Sequence, residues 1–376
     1  MLALLLLPLI AGSLVYCVLT VVAARRYLTV RPGAIREFPP ISVLKPLAGA
    51  DLDLEDNLRS FFEQDYPAFE MLFAARTVGD PAAEVARRLQ ASYPNVPSRL
   101  LITGEPPYPN AKVFSLDRML GEARHELVVM SDSDIRVNAG ALRTLAAEFQ
   151  DQRLGLASCP YKVVPGRSFW SLLDALGLNT EFLGGVLVAR MVDGMKFAIG
   201  PTVAARKQVL ERIGGFSVLK DYLAEDFVMG KRTAAAGYGV ILSSCVIEHH
   251  IGAQNLRANV LHRLRWSRST RRSRPWGYVG LVFTNPLPLA FLFTAVLPRW
   301  WPVLAVTAAL RAAAAWAIAG WVLHDGLTRR RWWLLPLADA ASFLGWLAGF
   351  FGRTILWRGR KYRLLRDGRF ELLQRG

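Results

Sequence analysis

The stretch VVMSDSD at residues 128–134 joins a short apolar run to two carboxylates, Asp132 and Asp134, in i, i+2 positions. The apolar run has the length and composition of a buried strand. Carboxylates at the end of such a strand can hold a divalent cation against a diphosphate, because oxygen ligands suit Mg²⁺ and Mn²⁺. The cation would neutralise a leaving nucleoside diphosphate. A solvated loop can also contain two aspartates at this spacing, so the interpretation depends on the surrounding pattern.

Strand-like and helix-like segments alternate around this stretch from residue 39 to residue 252. The alternation predicts an α/β domain with a mostly parallel sheet. Sheets of that kind bind ligands at the carboxyl ends of their strands, which is where Asp132 and Asp134 fall. The predicted strands are residues 41–44, 69–75, 99–102 and 127–130, and the predicted helices are residues 52–63 and 81–92.

Two later motifs supply groups for transfer chemistry. Glu225 and Asp226 stand at the start of a predicted helix. Acidic residues there stabilise the helix dipole, and an aspartate can also act as a general base toward an acceptor hydroxyl. The segment LHRLRW at residues 261–266 combines guanidinium groups, which bind phosphates bidentately, with an indole that stacks on a base or a sugar. The same segment also fits a basic helix at a membrane surface.

An apolar segment precedes the α/β domain. Residues 2–24 are almost unbroken in apolar side chains and end at Arg25 and Arg26. This pattern predicts a transmembrane anchor over residues 1–28 whose C-terminal end lies in the cytoplasm. The run is long and no positive residues precede it, which argues against a cleaved signal peptide.

Membrane helices are also predicted within residues 279–357, between a basic segment at 253–278 and a basic tail at 358–376. The apolar stretches are residues 279–297, 302–323 and 332–356. Prolines in the first stretch favour a kinked, re-entrant or interfacial segment. Three crossings would export the basic tail, whereas two would export the arginines at 329–331. The tail carries more charge, which favours two crossings.

The charge of the chain points to a membrane and away from nucleic acid. The net charge is +16, the mean hydropathy is +0.24, and the basic residues cluster beside apolar segments. Such clusters fit anionic headgroups better than a groove for DNA. The three cysteines, Cys17, Cys159 and Cys245, do not have metal-ligand spacing, so neither a disulfide framework nor a zinc site is expected.

The order D-x-D, E-D and R-W resembles that of processive and lipid-directed family 2-like glycosyltransferases. The closer resemblance is to the ceramide glucosyltransferase family (family 21-like), including bacterial relatives associated with hopanoid glycosylation. The similarity extends from about residue 40 to about residue 366. The stretches that carry it are ISVLKP at 41–46, NLRSFFEQDYP at 57–67, NAKV at 110–113, DSDIRV at 132–137, ARKQVLERIGGF at 205–216, AEDFVMGK at 224–231 and WRGRKYRL at 357–364.

The resemblance implies an α/β GT-A fold between an N-terminal transmembrane helix and C-terminal transmembrane or interfacial helices. It also implies a UDP-sugar donor, a lipid hydroxyl acceptor and inversion at the anomeric carbon. The positions that match family motifs are Asp80 for uridine contact, Asp132 for the donor, Asp132 and Asp134 for Mn²⁺ or Mg²⁺, Asp226 for the catalytic base, and Arg265 and Trp266 for the end of the third motif.

The third motif departs from the usual Q/R-x-x-R-W, because its first position is His262. Histidine can still donate to a phosphate, so His262 remains a donor-binding candidate. Lys112, and with it Lys45, is expected near the donor phosphates or base. His249 and His250 offer either a third metal ligand or a structural pair.

One further apolar segment, residues 169–190, contains Asp174, Asn179 and Glu181. This composition favours a helix on the membrane surface, at the entrance for the acceptor, over a transmembrane span.

These observations together predict a membrane enzyme, in a bacterial inner membrane, whose α/β domain is cytoplasmic. The expected reaction is hexose transfer from a UDP-sugar to a membrane lipid, with glucose and ceramide as the first choice. Transfer of N-acetylglucosamine to a hopanoid is the alternative, because arginine far outnumbers lysine and alanine and glycine are abundant, as in proteins of GC-rich bacteria. A processive polysaccharide synthase and a non-catalytic membrane scaffold remain open.

Overall fold

A computed structural model of the chain describes residues 2–357 and 359–373, with side chains from residue 5 onward. Arg358 and residues 374–376, which belong to the predicted basic tail, lie outside the described residues. The strands are β1 Ile41–Pro46, β2 Phe69–Ala75, β3 Ser98–Ile102, β4 Leu127–Ser131, β5 Ile135–Arg136, β6 Leu154–Ser158, β7 Tyr161–Pro165, β8 Thr202–Arg206, β9 Gly239–Leu242, β10 Ile247–Ile251, β11 Thr354–Trp357, β12 Arg360–Leu364 and β13 Phe370–Leu372.

The helical segments are of three kinds, namely α-helices, π-helical segments and 3₁₀ segments. The α-helices are α1 Leu2–Tyr27, α2 Leu54–Phe62, α3 Pro81–Ser92, α4 Ala111–Glu122, α5 Ala141–Glu148, α6 Phe169–Gly177, α7 Leu183–Asp193, α8 Lys207–Arg212, α9 Glu225–Ala235, α10 Leu256–Ser273, α11 Pro275–Gly280, α12 Pro286–Val296, α13 Trp301–Trp316, α14 Gly326–Arg331 and α15 Leu335–Gly349. The π-helical segments are Leu178–Phe182 and Ala317–Val322, and the 3₁₀ segments are Phe216–Val218, Leu281–Thr284, Pro298–Trp300 and Trp332–Leu334.

The chain forms two compact units. The sheet unit comprises Arg31–Val164 and Met195–Gly252. The helical unit comprises Met1–Val30, Pro165–Gly194 and Ala253–Gly376. The helical unit is therefore assembled from three separate parts of the sequence, and the middle part interrupts the sheet unit.

A mixed sheet forms the centre of the sheet unit. Within the described residues, seven strands follow the order β3-β2-β1-β4-β8-β6-β9. β1 is parallel to both β2 and β4, with Ile41 opposite Phe69 and Leu127, whereas β8 is antiparallel to β4 and β6. The predicted α/β fold is confirmed, and the carboxyl ends of β1, β2 and β4 lie at one edge of the sheet. A second sheet, β5-β10-β7, places His249 opposite Ile135.

Local sequence signals explain the element boundaries near that edge. The predicted helix over 81–92 has Pro81 in its first turn, and Asp80 caps it by accepting from the Ala82 amide at 2.9 Å. Asn110 caps α4 in the same way, through the Val113 amide at 3.1 Å. α4 then packs its apolar face, including Leu116 and Met119, into the core under the sheet.

Three helical segments of the helical unit are long and apolar enough to cross a membrane, among the described residues. They are Leu5–Tyr27, Phe169–Asp193 and Pro298–Val322. The pair Pro275–Thr284 and Pro286–Val296 counts as a fourth if the two helices form one bent span. Their axes differ by 62°, which agrees with the kink predicted from the prolines of residues 279–297.

The segment Phe169–Asp193 meets the length and hydropathy of a span although the sequence favours a surface helix. Both of its flanks, ending at Val164 and resuming at Met195, belong to the sheet unit. A single crossing would separate these flanks by a bilayer, so the connectivity argues against a full crossing. Asn179 of this segment donates to Asp325 at 3.1 Å, and Glu181 accepts from Thr284 at 2.7 Å, so its polar residues are used inside the helical unit.

Residues 332–356, an apolar stretch within the region of predicted membrane helices, do not form one helix. α15 stops at Gly349 and residues 354–357 form strand β11, because Gly352 has a left-handed backbone (φ +78°) that ends the helix. α15 is about 22 Å long, short for a crossing. It also lies beside α10, whose Arg263 donates to Ser342 at 3.3 Å.

This shorter helix changes the count of crossings. The tail strands pack against α10, since Arg268 of α10 donates to the Thr354 carbonyl at 2.6 Å. α10 and the tail therefore lie on one side of the bilayer, which requires an even number of crossings between them. If the bent pair and Pro298–Val322 are those crossings, the arginines at 329–331 share that side too, and the conflict in the positive-inside rule disappears.

Candidate active site

The acidic groups singled out in the sequence lie at the carboxyl edge of the main sheet. Asp132 and Asp134 follow β4, which ends at Ser131. Asp80 lies at the end of the loop after β2, directly before α3. The side chains of Asp132 and Asp134 are each 32% exposed, so they border solvent from a largely enclosed position. Lys45, near the end of β1, donates to the backbone carbonyl of Asp132 in the same turn.

Lys112 links two acidic motifs that are far apart in sequence. Its Nζ lies 2.8 Å from Asp132 Oδ1 and 3.1 Å from Glu225 Oε1. Burial alone would lower the pKa of Lys112, but the carboxylates of Asp132 and Glu225 outweigh it and raise that pKa. Lys112 is therefore a fixed positive charge between the D-x-D turn and the start of α9.

Asp132 and Asp134 have different electrostatic surroundings. Burial raises the pKa of Asp132, against the opposing effect of Lys112. Burial also opposes ionisation of Asp134, but His249, whose Nε2 lies 3.1 Å from Asp134 Oδ2, holds the pKa of that carboxyl at about 2. Asp134 is therefore a permanent carboxylate near neutral pH.

The carboxylate oxygens of this site fit a divalent cation that also binds phosphate oxygens. Asp134 Oδ1 is buried and has no hydrogen-bond partner within the described residues. Over the same residues, no group of three or more His, Cys, Asp and Glu side chains is placed to hold a metal by itself. Mg²⁺ and Mn²⁺ commonly use one or two carboxylates and take further oxygens from phosphates, which is the arrangement available here. His249 contacts Asp134 and so supports one of these carboxylates.

Glu225 and Asp226 occupy distinct positions in the first turn of α9. Glu225 is buried, and its two oxygens lie 3.1 Å from Lys112 Nζ and 3.4 Å from Asn110 Nδ2. Asp226 is half-buried, and its carboxylate packs over the Cα of Gly200. Burial, followed by the neighbouring charge of Glu225, raises the pKa of Asp226 to about 7.

Lys45 is fully buried and supports the D-x-D turn. Its Nζ donates to the Asp132 carbonyl at 2.6 Å and to Ser131 Oγ at 3.3 Å, and lies 3.9 Å from the centre of the Phe61 ring. Burial lowers the pKa of Lys45 to about 7. These contacts are all internal, so Lys45 holds the backbone of the turn in the structure described here.

The Asp80 carboxylate accepts hydrogen bonds from the protein backbone. The same Oδ1 atom accepts from the Ala82 amide at 2.9 Å and from the Gly49 amide at 3.0 Å. The second carboxylate oxygen remains for a ligand at the loop after β1. Asp80 thus caps α3 and links it to the loop after β1, and its contact with the donor stays a prediction.

The third motif lies on α10, in the helical unit, and is described within that unit. His262 Nδ1 and Arg263 Nη2 each lie 3.1 Å from an oxygen of Asp174, which is buried. The Trp266 ring packs edge-on against Phe182 and beside His262, with centroids 5.6 and 5.7 Å apart. Arg265 lies on the same helix, between Arg263 and Trp266 in the sequence.

Two residues beside the predicted groups are not among the site residues predicted from the sequence. Asn110 caps α4 while its amide donates to the Tyr222 carbonyl at 2.8 Å, which fixes the segment before α9. Gly200 leaves room for Asp226. The NAKV motif contained a signal for Asn110, since asparagine before a helix is a common cap. No local signal identifies Gly200, because its neighbour is distant in sequence.

A family model and several curated proteins match this chain. The family model for "Glycosyl transferase family 21" matches residues 5–370. Ceramide glucosyltransferase 1 of Caenorhabditis elegans is 30% identical over 208 residues, which cover 55% of this chain and 44% of that protein. The ceramide glucosyltransferase of Komagataella phaffii is 34% identical over 106 residues, covering 27% and 21% respectively. The chain thus spans less than half the length of these curated relatives.

Solved structures give the same fold. The mannosyltransferase PcManGT from Pyrobaculum calidifontis, solved with GDP-Man and Mn²⁺, has a TM-score of 0.57. It is 21% identical to this chain, and the match covers 93% of this chain and 99% of that one. At this identity the likeness concerns the fold alone, a mixed α/β GT-A-like arrangement.

Proposed function

Because the chain belongs to glycosyl transferase family 21, we propose that it transfers a hexose from a UDP-sugar to the hydroxyl of a membrane lipid. The observation that carries the proposal is the acidic cluster joined by Lys112 at the carboxyl edge of the sheet. That cluster contains ligands for a diphosphate complex and, at Asp226, a carboxyl whose pKa of about 7 suits a general base.

The donor-binding groups are Asp80, Lys112, Asp132 and the third motif. Asp132 and Asp134 would hold Mn²⁺ or Mg²⁺ together with the donor diphosphate, and the unpartnered Oδ1 of Asp134 supports this assignment. When bound, the cation offsets the negative charge that develops on the leaving UDP. His262, Arg265 and Trp266 are assigned to the donor by the family motif. Within the helical unit, His262 Nδ1 lies 3.1 Å from Asp174 Oδ2.

Asp226, rather than Glu225, is the proposed base. Both oxygens of Glu225 are engaged by Lys112 and Asn110, which makes Glu225 a positioning residue. Asp226 is half-buried and accepts a proton readily, since its pKa is about 7. Its carboxylate would take the proton of the acceptor hydroxyl as that oxygen attacks the anomeric carbon. The bond to UDP breaks on the opposite face, so the configuration is inverted.

The acceptor we propose is ceramide and the sugar glucose, because the curated relatives are named ceramide glucosyltransferases. The candidate spans of the helical unit support a lipid acceptor, since they would bring the chain to a bilayer. In this proposal residues 39–252 form the cytoplasmic catalytic domain at a bacterial inner membrane. A hopanoid receiving N-acetylglucosamine is the second candidate, favoured by the arginine-rich and alanine-rich composition.

An assay with several combinations of donor and acceptor tests the proposal. The purified chain is offered UDP-glucose, UDP-galactose and UDP-N-acetylglucosamine, each with ceramide and with a hopanoid, and the glycolipid is identified by mass spectrometry. Glucosylceramide is the expected product, and Asp226→Asn is the matched inactive control. Glycosylated hopanoid would favour the second candidate, a polymer would indicate a processive synthase, and no product in any pairing would contradict the enzyme.

A further inference from the structure

The end of α10 packs against the C-terminal sheet of the helical unit. Arg268 donates from Nε to the Phe351 carbonyl at 3.0 Å and from Nη1 to the Thr354 carbonyl at 2.6 Å. The turn between β12 and β13 meets the same helix end, since a Cβ on Gly368 would come within 2.7 Å of Ser273 Oγ. These contacts fix three chain segments around the last turn of α10.

Each of the three segments contributes one arginine near the last turn of α10. We call Arg272 of α10, Arg353 before β11 and Arg366 of the β12–β13 turn the arginine triad. None of the three has an acidic partner among residues 2–357 and 359–373. The acids of the neighbouring turn and strand are used elsewhere, because Asp367 pairs with Arg369 at 2.7 Å and Glu371 with Arg363 at 3.4 Å. The triad is therefore an uncompensated concentration of positive charge.

Arg272 is the central member of the arginine triad. Its Nε is buried and has no hydrogen-bond partner in the described part of the chain. Burial, and after it the charges of Arg271, Arg366 and Arg353, lower the pKa of Arg272. A guanidinium held near like charges with an unused donor is a site at which an anion would be stabilised.

The surface around the triad indicates which anion it meets. Arg353 and Arg366 are exposed, and two exposed aromatic side chains lie close in sequence to members of the triad. Phe351, two residues before Arg353, is 73% exposed, and Trp276, four residues after Arg272, is 88% exposed. Exposed aromatics beside basic residues are typical of the boundary between lipid headgroups and acyl chains. A site for a soluble nucleotide would not need these exposed apolar rings.

We propose that the arginine triad binds the phosphodiester group of an anionic phospholipid in the bilayer that holds the helical unit. The guanidinium groups of three segments share one headgroup, so the lipid joins α10 to the C-terminal sheet. Binding of this kind depends on net negative charge, since a zwitterionic headgroup carries its own compensating cation.

Energy transfer to labelled lipids tests the site. The full chain is reconstituted in phosphatidylcholine nanodiscs that contain a small fraction of dansyl-labelled phosphatidylglycerol or dansyl-labelled phosphatidylcholine, and transfer from tryptophan is measured. The wild type should favour the anionic probe. The triple variant Arg272→Gln/Arg353→Gln/Arg366→Gln should lose that preference by roughly tenfold or more, given the attraction of each basic residue to an anionic surface.

A charge-matched control and a nucleotide titration complete the test. Arg118→Gln/Arg153→Gln/Arg212→Gln removes three exposed arginines of the sheet unit and should retain the preference. The single variant Arg366→Gln, at an exposed turn, gives an intermediate loss even if the triple variant is unstable. Equal transfer to both probes in the wild type, or a retained preference in the triple variant, would overturn the proposal. Loss of UDP binding in the triple variant by calorimetry would also overturn it, because the triad would then serve the donor.

Discussion

A Cβ atom on Gly200 would come within 2.7 Å of Asp226 Oδ2. The two residues belong to different parts of the sheet unit, the turn before β8 and the first turn of α9. The Gly200 carbonyl also accepts from Lys112 Nζ at 3.4 Å, so one backbone segment borders both the proposed base and the bridging lysine. The position of the Asp226 carboxylate thus depends on the absence of a side chain at residue 200.

Gly200→Ala should reduce turnover without an equal loss of donor affinity. The added methyl displaces the Asp226 carboxylate, and misplacement of a catalytic group by a fraction of an ångström to 1 Å costs on the order of 10²-fold in rate. Steady-state transfer rates and calorimetric UDP-sugar titration measure the two effects. Gly121→Ala is the control, because nothing lies within 4 Å of the added Cβ there. Wild-type turnover in Gly200→Ala would argue that Asp226 tolerates displacement and is not the base.

Asp226→Asn should separate proton transfer from donor binding. Asparagine keeps the size of aspartate but cannot take a proton, so transfer should fall by roughly 10²-fold or more while UDP-sugar affinity stays near that of the wild type. Asp134→Ala should weaken donor binding itself, because it removes a carboxylate that is ionised at neutral pH. Both variants are compared by calorimetry and by transfer assay. If Asp226→Asn loses affinity as severely as Asp134→Ala, the assignment of the base is wrong and Glu225 becomes the next candidate.

The raised pKa of Asp226 predicts a pH-dependent rate. A general base acts in its ionised form, so turnover should fall as the pH drops through about 7 and decrease roughly tenfold per unit below it. Burial is the larger cause of the raised pKa and the Glu225 charge the second, so Glu225→Gln should move the midpoint to lower pH. Turnover at saturating donor, measured across this range, gives both midpoints. A midpoint that stays fixed or rises in Glu225→Gln would contradict the coupling between these carboxyls.

Chelation should abolish transfer, and Mn²⁺ or Mg²⁺ should restore it. The expectation follows from the free Oδ1 of Asp134 and from the lack of a three-residue metal cluster among the described residues, which leaves the cation dependent on the diphosphate. Metal binding should therefore be weak without UDP and much tighter with it. Calorimetric titration of Mn²⁺ in the presence and absence of UDP tests this linkage. Full activity in excess EDTA would exclude the metal site.

The buried pair Arg311 and Asp339 should be essential for the stability of the helical unit. Arg311 donates to Asp339 at 2.7 and 2.8 Å, and the residues are 4% and 1% exposed. Asp339→Asn leaves a buried guanidinium without its counter-charge, a change that typically costs about 3–5 kcal/mol. The double variant Arg311→Leu/Asp339→Leu should recover most of that loss, since neither charge remains. Thermal unfolding in detergent measures both, and a double variant less stable than Asp339→Asn would contradict this explanation.

The sequence predicted those elements whose signals are local. The strand before Asp132 ends at Ser131, the helix over 81–92 has the predicted bounds, and Glu225 begins α9. Each depends on a short apolar run, a cap or a helix-starting proline, and such signals involve neighbouring residues only. The same holds for the kink in residues 279–297, because Pro286 lacks a backbone N–H and favours the first turn of a new helix, α12.

The features that the sequence left unpredicted depend on contacts between distant segments. Lys112 bridges Asp132 and Glu225, and composition alone does not specify that pairing. The sequence predicts a helix on the membrane surface over residues 169–190 but does not identify the partners of its polar residues. Asp174 pairs with Arg263, and Glu181 accepts from Thr284, inside the helical unit. The sequence does not mark the end of α15, because the apolar pattern continues into strand β11 and periodicity does not distinguish short buried strands from helices.

The interruption of the sheet unit by Phe169–Asp193 sets an order of assembly during synthesis. β6 and β8 are hydrogen-bonded neighbours in the sheet, yet the ribosome must complete this apolar segment between them. The packing of α1 is completed later still, because α12 and α13, which pack against it, are made after the whole sheet unit. The nascent chain therefore holds an early anchor that lacks two of its helix partners until the C-terminal part emerges. Chains truncated after β10 should consequently be degraded in cells rather than accumulate as a soluble catalytic fragment.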